Sequence, residues 1–213
     1  MAVKIPADTR ITSGLLRSFT DTSRVRVVAV IFVIGFTVGL AGDATHVASG
    51  TTRYEWDGVP EVWRSAIWFP FAVGGALLGA AWAAERFAPS PVRQRTLADA
   101  ALGAALVLAL YGLTAVLRGE PATVSVVLTA ALAIAIWLWW DPSPRAFAIG
   151  LAAAVAGPLA EAVIVEAGAA SYRPGSDGLL GVAEWLPCLY FAAGAVASGL
   201  WRAVSGGLAT RPS

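Results

Sequence analysis

The chain has 213 residues, of which 57% are hydrophobic and only 14% charged, with a net charge of +1 and a mean hydropathy of +0.69. A soluble domain carries about a quarter charged residues, so an ordinary soluble enzyme is excluded, and the near-neutral balance excludes the clustered Lys and Arg of a nucleic-acid surface. A single cysteine, Cys188, rules out an internal disulfide and a cysteine-rich metal centre.

Taken in order, residues 1–23 are polar and carry Lys4, Arg10 and Arg17. No small-residue cleavage site follows, which predicts a cytoplasmic tail rather than a removable signal. Apolar runs then occupy 27–42, 65–84, 100–117, 121–140, 146–165 (interrupted only by Glu161) and 185–201. Runs of this length span a hydrocarbon core of about 30 Å as helices, and terminal arginines such as Arg26 and Arg202 snorkel to lengthen the shorter ones. The predicted fold is all-α: a polytopic six-transmembrane-helix bundle over 24–205, with cytoplasmic tails at 1–23 and 206–213. Eleven Lys and Arg fall on the side of the termini and four (Arg53, Arg64, Arg118 and Arg173) on the other, which places both termini in the cytoplasm. Arginine outnumbers lysine fourteen to one, a bias that hints at a GC-rich bacterial genome and hence a bacterial plasma membrane.

Two longer joints, 43–61 and 166–184, are expected outside, the first with Tyr54 and Trp56 as interfacial anchors. The joint Arg118-Gly-Glu-Pro121 is so short that spans three and four must be antiparallel neighbours. Span four ends in Trp137-Leu-Trp-Trp-Asp-Pro-Ser-Pro, and its two prolines forbid an unbroken helix. Asp141 therefore sits in a stiff turn at a membrane surface.

Signatures of catalysis are missing: there is no HExxH, no G-x-S-x-G, no P-loop and no dinucleotide glycine pattern. No catalytic residue, metal site or cofactor is expected. His46 is expected as a solvated loop residue, and Cys188 as a buried, inert thiol. Glu161 lies three residues after Pro158 inside a span, where a carboxylate costs about 2.5–3.5 kcal/mol and faces a cavity or a partner. It either holds the polar end of a ligand, or pairs with a hydroxyl or amide for assembly, or reaches toward the outer surface with Glu166. Spans two and six share a phrase, Trp68-Phe-Pro70 and Trp185-Leu-Pro187. That phrase marks either an aromatic belt with proline at a helix start or a pair of bends that open a wedge-shaped cavity. Small residues at four-residue spacing (Gly35 and Gly39, Gly75 and Gly79, Gly194 and Ser198) predict close helix contacts and allow a homo-oligomer.

These motifs resemble the Insig (insulin-induced gene) family from about Arg24 to Arg202. The resemblance rests on Glu184-Trp-Leu-Pro-Cys188, then Leu128-Thr-Ala-Ala-Leu132 through Trp137, Trp140 and Asp141, then Ser65-Ala-Ile-Trp-Phe-Pro70. It implies six helices, cytosolic termini and no enzymatic activity; eukaryotic members bind oxysterols and hold a sterol-sensing partner in the endoplasmic reticulum membrane. The family's partner-contacting aspartate corresponds to Asp141, whose simpler role is to end a helix. Family glutamines in spans four and five are replaced by Val124 and Glu161. The expectation is a lipid-binding protein whose cavity is lined by Trp68, Phe69, Pro70 and Gly74 of span two, with Val107 and Val124 of spans three and four. Glu161, Trp185 and Pro187 complete it. The expected ligand is sterol-like or, in a host without sterols, diacylglycerol-like: one neutral hydroxyl on an apolar body. The alternatives are a small transporter or membrane enzyme that titrates Glu161, and a scaffold that engages a membrane-protein partner through Asp141.

Overall fold

The computed structural model describes residues 9–87 and 95–209; Lys4, Arg93 and Arg211, which enter the orientation count, lie outside them. The molecule is an all-α membrane protein of six helices: α1 (Thr9–Ser49), α2 (Trp68–Phe87), α3 (Leu97–Val116), α4 (Ala122–Trp140), α5 (Pro144–Glu166) and α6 (Leu186–Ala209). The expected tail is thus already helical from Thr9. In α1 (from Ser23), α3, α4 and α5 the helix is long and apolar enough to cross a membrane.

Helix α6 occupies the middle, with α1 to α5 all packed against it. Its core positions are mostly small: Ala192, Gly194, Ala195, Ala197, Ser198, Gly199 and Ala203 are buried. In lipid, helices gain nothing by hiding apolar surface from one another, so close van der Waals contact between small residues drives packing. A methyl group added at Gly194 would lie 2.7 Å from Ala153 Cβ and 2.9 Å from the Ile149 carbonyl oxygen of α5. Gly35 meets the backbone of Gly74, and Gly39 meets Val73, so this pair of small residues joins α1 to α2. Gly75 and Gly79, by contrast, look out into open space.

At one end of the bundle, four short strands close the fold. Strand β1 (Thr52–Tyr54), after α1, pairs antiparallel with β4 (Ala170–Tyr172), after α5, in the register Arg53 to Ser171. Ser171 Oγ donates to Glu55 Oε1 at 2.6 Å across this ribbon. Strands β2 (Glu61–Val62) and β3 (Ser65–Ala66) form a hairpin just before α2. The other end carries the α2–α3 and α4–α5 joints, where Arg95 donates to the last carbonyls of α4, Trp139 and Trp140. The joint between α3 and α4 is a single 3-10 turn, Leu117–Gly119.

Two expectations need correction. Helix α1 runs on to Ser49, so the joint expected at 43–61 begins only after it, and Asp43 and His46 lie within the bundle. Both polar side chains find hydrogen-bond partners within the fold, which removes the reason to end the helix at the first charge. Pro70 and Pro187 fall in the first turns of α2 and α6, where an amide donor is not needed. They therefore do not bend the spans.

Gly194→Val should force α5 off α6 and lower the thermal midpoint in detergent, by an overpacking cost of about 1–3 kcal/mol. Gly112→Ala, where nothing lies within reach of an added methyl, should leave the midpoint unchanged or slightly raised.

Candidate functional site

Polar groups gather where the bundle meets the strands. Asp43, nearly two turns before the end of α1, accepts a hydrogen bond from Tyr54 Oη of β1 at 2.7 Å. His46, a turn further on, is buried with its Nε2 at 2.8 Å from Thr114 Oγ1 of α3. The Thr114 hydroxyl is directed at the Leu110 and Tyr111 carbonyls, so the imidazole is the donor. Its ring lies 5.0 Å from that of Tyr111 and 5.2 Å from that of Trp185. The expected solvated histidine is therefore a satisfied core residue. Among the described residues, no cluster of three or more His, Cys, Asp or Glu side chains can hold a metal ion.

Glu161 of α5 is half-buried and accepts two tyrosine hydroxyls, from Tyr172 of β4 and from Tyr190 of α6, the latter at 2.6 Å. Pro158, buried one turn earlier, lies inside the otherwise continuous α5. Tyr190 can reach the carboxylate because its ring crosses Gly157, where an added methyl would collide with the ring. Trp185 packs against Tyr172 at 6.4 Å, linking the His46 and Glu161 groups through an aromatic bridge. Burial, and then the neighbouring Glu161 carboxylate, holds the Tyr172 phenol protonated well above the usual tyrosine range. Burial and the Asp43 charge do the same for Tyr54.

Between these groups lies a cavity of about 20 Å³, roofed by the β1–β4 ribbon and lined by Asp43, Thr52, Tyr54, Trp68, Phe69 and Glu161, with Ile164, Val165 and Tyr172 completing the wall. Room of this order takes one water-sized group. Thr52 Oγ1 is buried without a hydrogen-bond partner. The cavity lies in the cleft between α2, which supplies Trp68 and Phe69, and α5, which supplies Glu161, Ile164 and Val165; both helices lean on α6 and meet each other only briefly.

Of the expected lipid-binding residues, the structure brings Trp68, Phe69 and Glu161 to this cavity, and Trp185 packs behind it. Pro70 is buried at the start of α2, and Gly74 lies against Phe32 of α1. Val107 is buried in the core, Val124 faces outward from α4, and Pro187 is half-buried in the first turn of α6. The residues that sequence reasoning missed are Tyr172, Tyr190, Asp43 and Thr52. A carboxylate within a span requires donors, a requirement that calls for a hydroxyl or amide without saying which residue supplies it.

Asp141 lies at the opposite end and is only 2% exposed. It ends α4 in extended backbone, and its Oδ1 accepts the Ser143 amide at 3.2 Å. Ser143 in turn caps α5, with Pro144 in the first helical position. The carboxylate thus builds the α4–α5 corner.

The arrangement has known relatives. An INSIG protein homolog from Mycolicibacterium vanbaalenii is 39% identical over 175 residues, covering 82% of this chain and 85% of that protein. The chain belongs to the Insig family. An insulin-induced gene 1 protein from Danio rerio is 24% identical over 198 residues, covering 91% of this chain and 78% of that one. The crystal structure of the Insig homologue MvINS from Mycobacterium vanbaalenii matches with a TM-score of 0.80 at 37% identity, covering 88% of this chain and 96% of that one. A cross-linked MvINS trimer matches equally well, at 38% identity and with the same coverage. No family model matches. The Insig membership read from the Trp-Leu-Pro-Cys and tryptophan motifs is therefore correct, as is the six-helix architecture.

Tyr190→Phe and Tyr172→Phe should each destabilise the fold by about 1–3 kcal/mol, the cost of leaving a buried polar partner unmet, read as a lower thermal midpoint. Raising the pH past about 10, the ordinary tyrosine value, should lower stability. The unfolded chain then loses the Tyr54 and Tyr172 protons while the folded chain keeps them, so the unfolded state binds fewer protons. A pH series of thermal midpoints checks this.

Proposed function

We propose that this protein is a non-enzymatic lipid-binding protein of the Insig type, which holds a sterol-like or diacylglycerol-like lipid between α2 and α5. One observation carries the proposal: a glutamate within the apolar helix α5, held by two tyrosine hydroxyls, lines a cavity that has aromatic walls and lies between α2 and α5. A carboxylate has about four acceptor positions, and two remain for a ligand. The cavity admits a single hydroxyl-sized group, so the apolar body of the ligand lies along the cleft. A ligand hydroxyl there donates to Glu161 and accepts from the otherwise unpartnered Thr52 Oγ1.

The setting that goes with this reading is a bacterial plasma membrane, with both termini cytoplasmic and several copies associated as in the MvINS trimer. A membrane-protein partner that engages Asp141 would first have to displace Ser143 from it, so the geometry favours lipid binding over scaffolding.

Lipid extracted from protein purified in mild detergent and identified by mass spectrometry tests the proposal. A neutral hydroxyl lipid should be present in near-stoichiometric amount with the parent chain and with Glu161→Gln, whose amide still accepts a hydroxyl. It should be depleted severalfold in Glu161→Leu and in Thr52→Val. Consistently empty parent protein sinks the reading. A proton-coupled transporter would instead lose its pH-dependent activity in Glu161→Gln.

A further inference from the structure

Two turns at the strand end of the bundle carry bulky residues where backbone chemistry disfavours them. The β2–β3 hairpin turns through Trp63 (φ 51°) and Arg64 (φ 71°), between the paired Val62 and Ser65. A second two-residue turn, Leu180 (φ 56°) and Gly181 (φ 83°), joins Leu179 and Val182, whose amides and carbonyls exchange 3.0 Å hydrogen bonds. Positive φ at both central positions defines a type I′ turn, which favours Asn, Asp and Gly. A bulky apolar side chain in the left-handed region is an outlier that persists where something else selects it. Elsewhere the chain follows the ordinary rule, with glycine in the left-handed position at Asp57-Gly58 and Pro174-Gly175. Trp63 and Leu180 are nevertheless 72% and 68% exposed, so packing inside the protein does not select them.

Both tips adjoin the lipid-facing surface. Behind Trp63, exposed Ile67 and Phe71 carry the apolar face onto α2, and Val62 is exposed on the same hairpin. The Leu180 turn lies at the end of α5, where a methyl added at Gly181 would be 3.2 Å from Val165 Cγ1 and where Val163 is exposed. One tip thus stands on the α2 side of the cleft and the other on the α5 side. Tryptophan beside arginine suits the boundary of a leaflet, where the indole lies at headgroup depth and the guanidinium meets phosphate.

We propose that the Trp63–Arg64 and Leu180 turns are interfacial anchors, seated in the headgroup region of a phospholipid leaflet on either side of the α2–α5 cleft. Their apolar tips dip into the leaflet, and the strand end of the molecule is held against it at two points. This holds whether or not a lipid occupies the internal cavity.

The test uses the full chain with Cys188→Ser and single cysteines introduced by Trp63→Cys and Leu180→Cys. Each is labelled with an environment-sensitive fluorophore and reconstituted in phosphatidylcholine–phosphatidylglycerol vesicles that carry headgroup or shallow acyl-chain spin labels. Asp57→Cys and Asp177→Cys, on the same end, serve as references. Labels at 63 and 180 should emit to the blue of the references and be quenched severalfold more strongly by the shallow spin labels. Arg64→Cys, which keeps Trp63, provides the same readout if Trp63→Cys does not fold. Emission and quenching indistinguishable from the references at both tips would overturn the proposal, and would be the result if the tips met only water or a soluble protein partner.

Discussion

The structure depends on one helix that the other five can approach closely. In lipid there is no water for apolar faces to flee, so what holds helices together is contact at short range and hydrogen bonding between polar side chains. Helix α6 supplies the first with a core-facing run of alanine, glycine and serine. Gly194 brings α5 to backbone contact, Gly199 receives the indole of Trp140 from α4, and the α1–α2 pair closes by the same device at Gly35 and Gly74. Large side chains enter where a glycine makes room for them: Tyr111 against Gly42 and Tyr190 against Gly157.

The polar groups follow from that packing rather than compete with it. Asp43, His46 and Glu161 at the strand end are each matched to hydroxyls from other elements: Tyr54, Thr114, and Tyr172 with Tyr190. Tyrosine suits this role because its ring lies in the apolar layer while its hydroxyl reaches inward. An unpaired carboxylate at that depth would be expensive, and the pairs explain how two acids lie near the same small cavity.

Much of the architecture was legible in the residues. The uncharged run at 121–140 became α4 at Ala122–Trp140 almost residue for residue, because two prolines and an absence of charge leave little choice. The end of α1 was not legible: Asp43 and His46 look like a loop until their partners, which lie far along the chain, are known. The strands were invisible for a related reason, since two or three residues are too few to show alternation and their pairing joins joints that are distant in sequence. Glu161 stood out as a charge in a span, but the tyrosines that hold it come from different elements. Pro70 and Pro187 were legible as residues and ambiguous as geometry, because a first-turn proline and a kinking proline differ only by where the helix begins.

The β1–β4 ribbon has a consequence for biogenesis. Glu55 and Ser171, which it pins together, are separated by 116 positions, and four more helices lie between the two strands. As the chain emerges from the ribosome, β1 waits unpaired until α5 has been threaded into the bilayer. The clasp therefore cannot close before α5 is in place, and a chain halted after α4 would have spans in the membrane but no lid over its polar chamber.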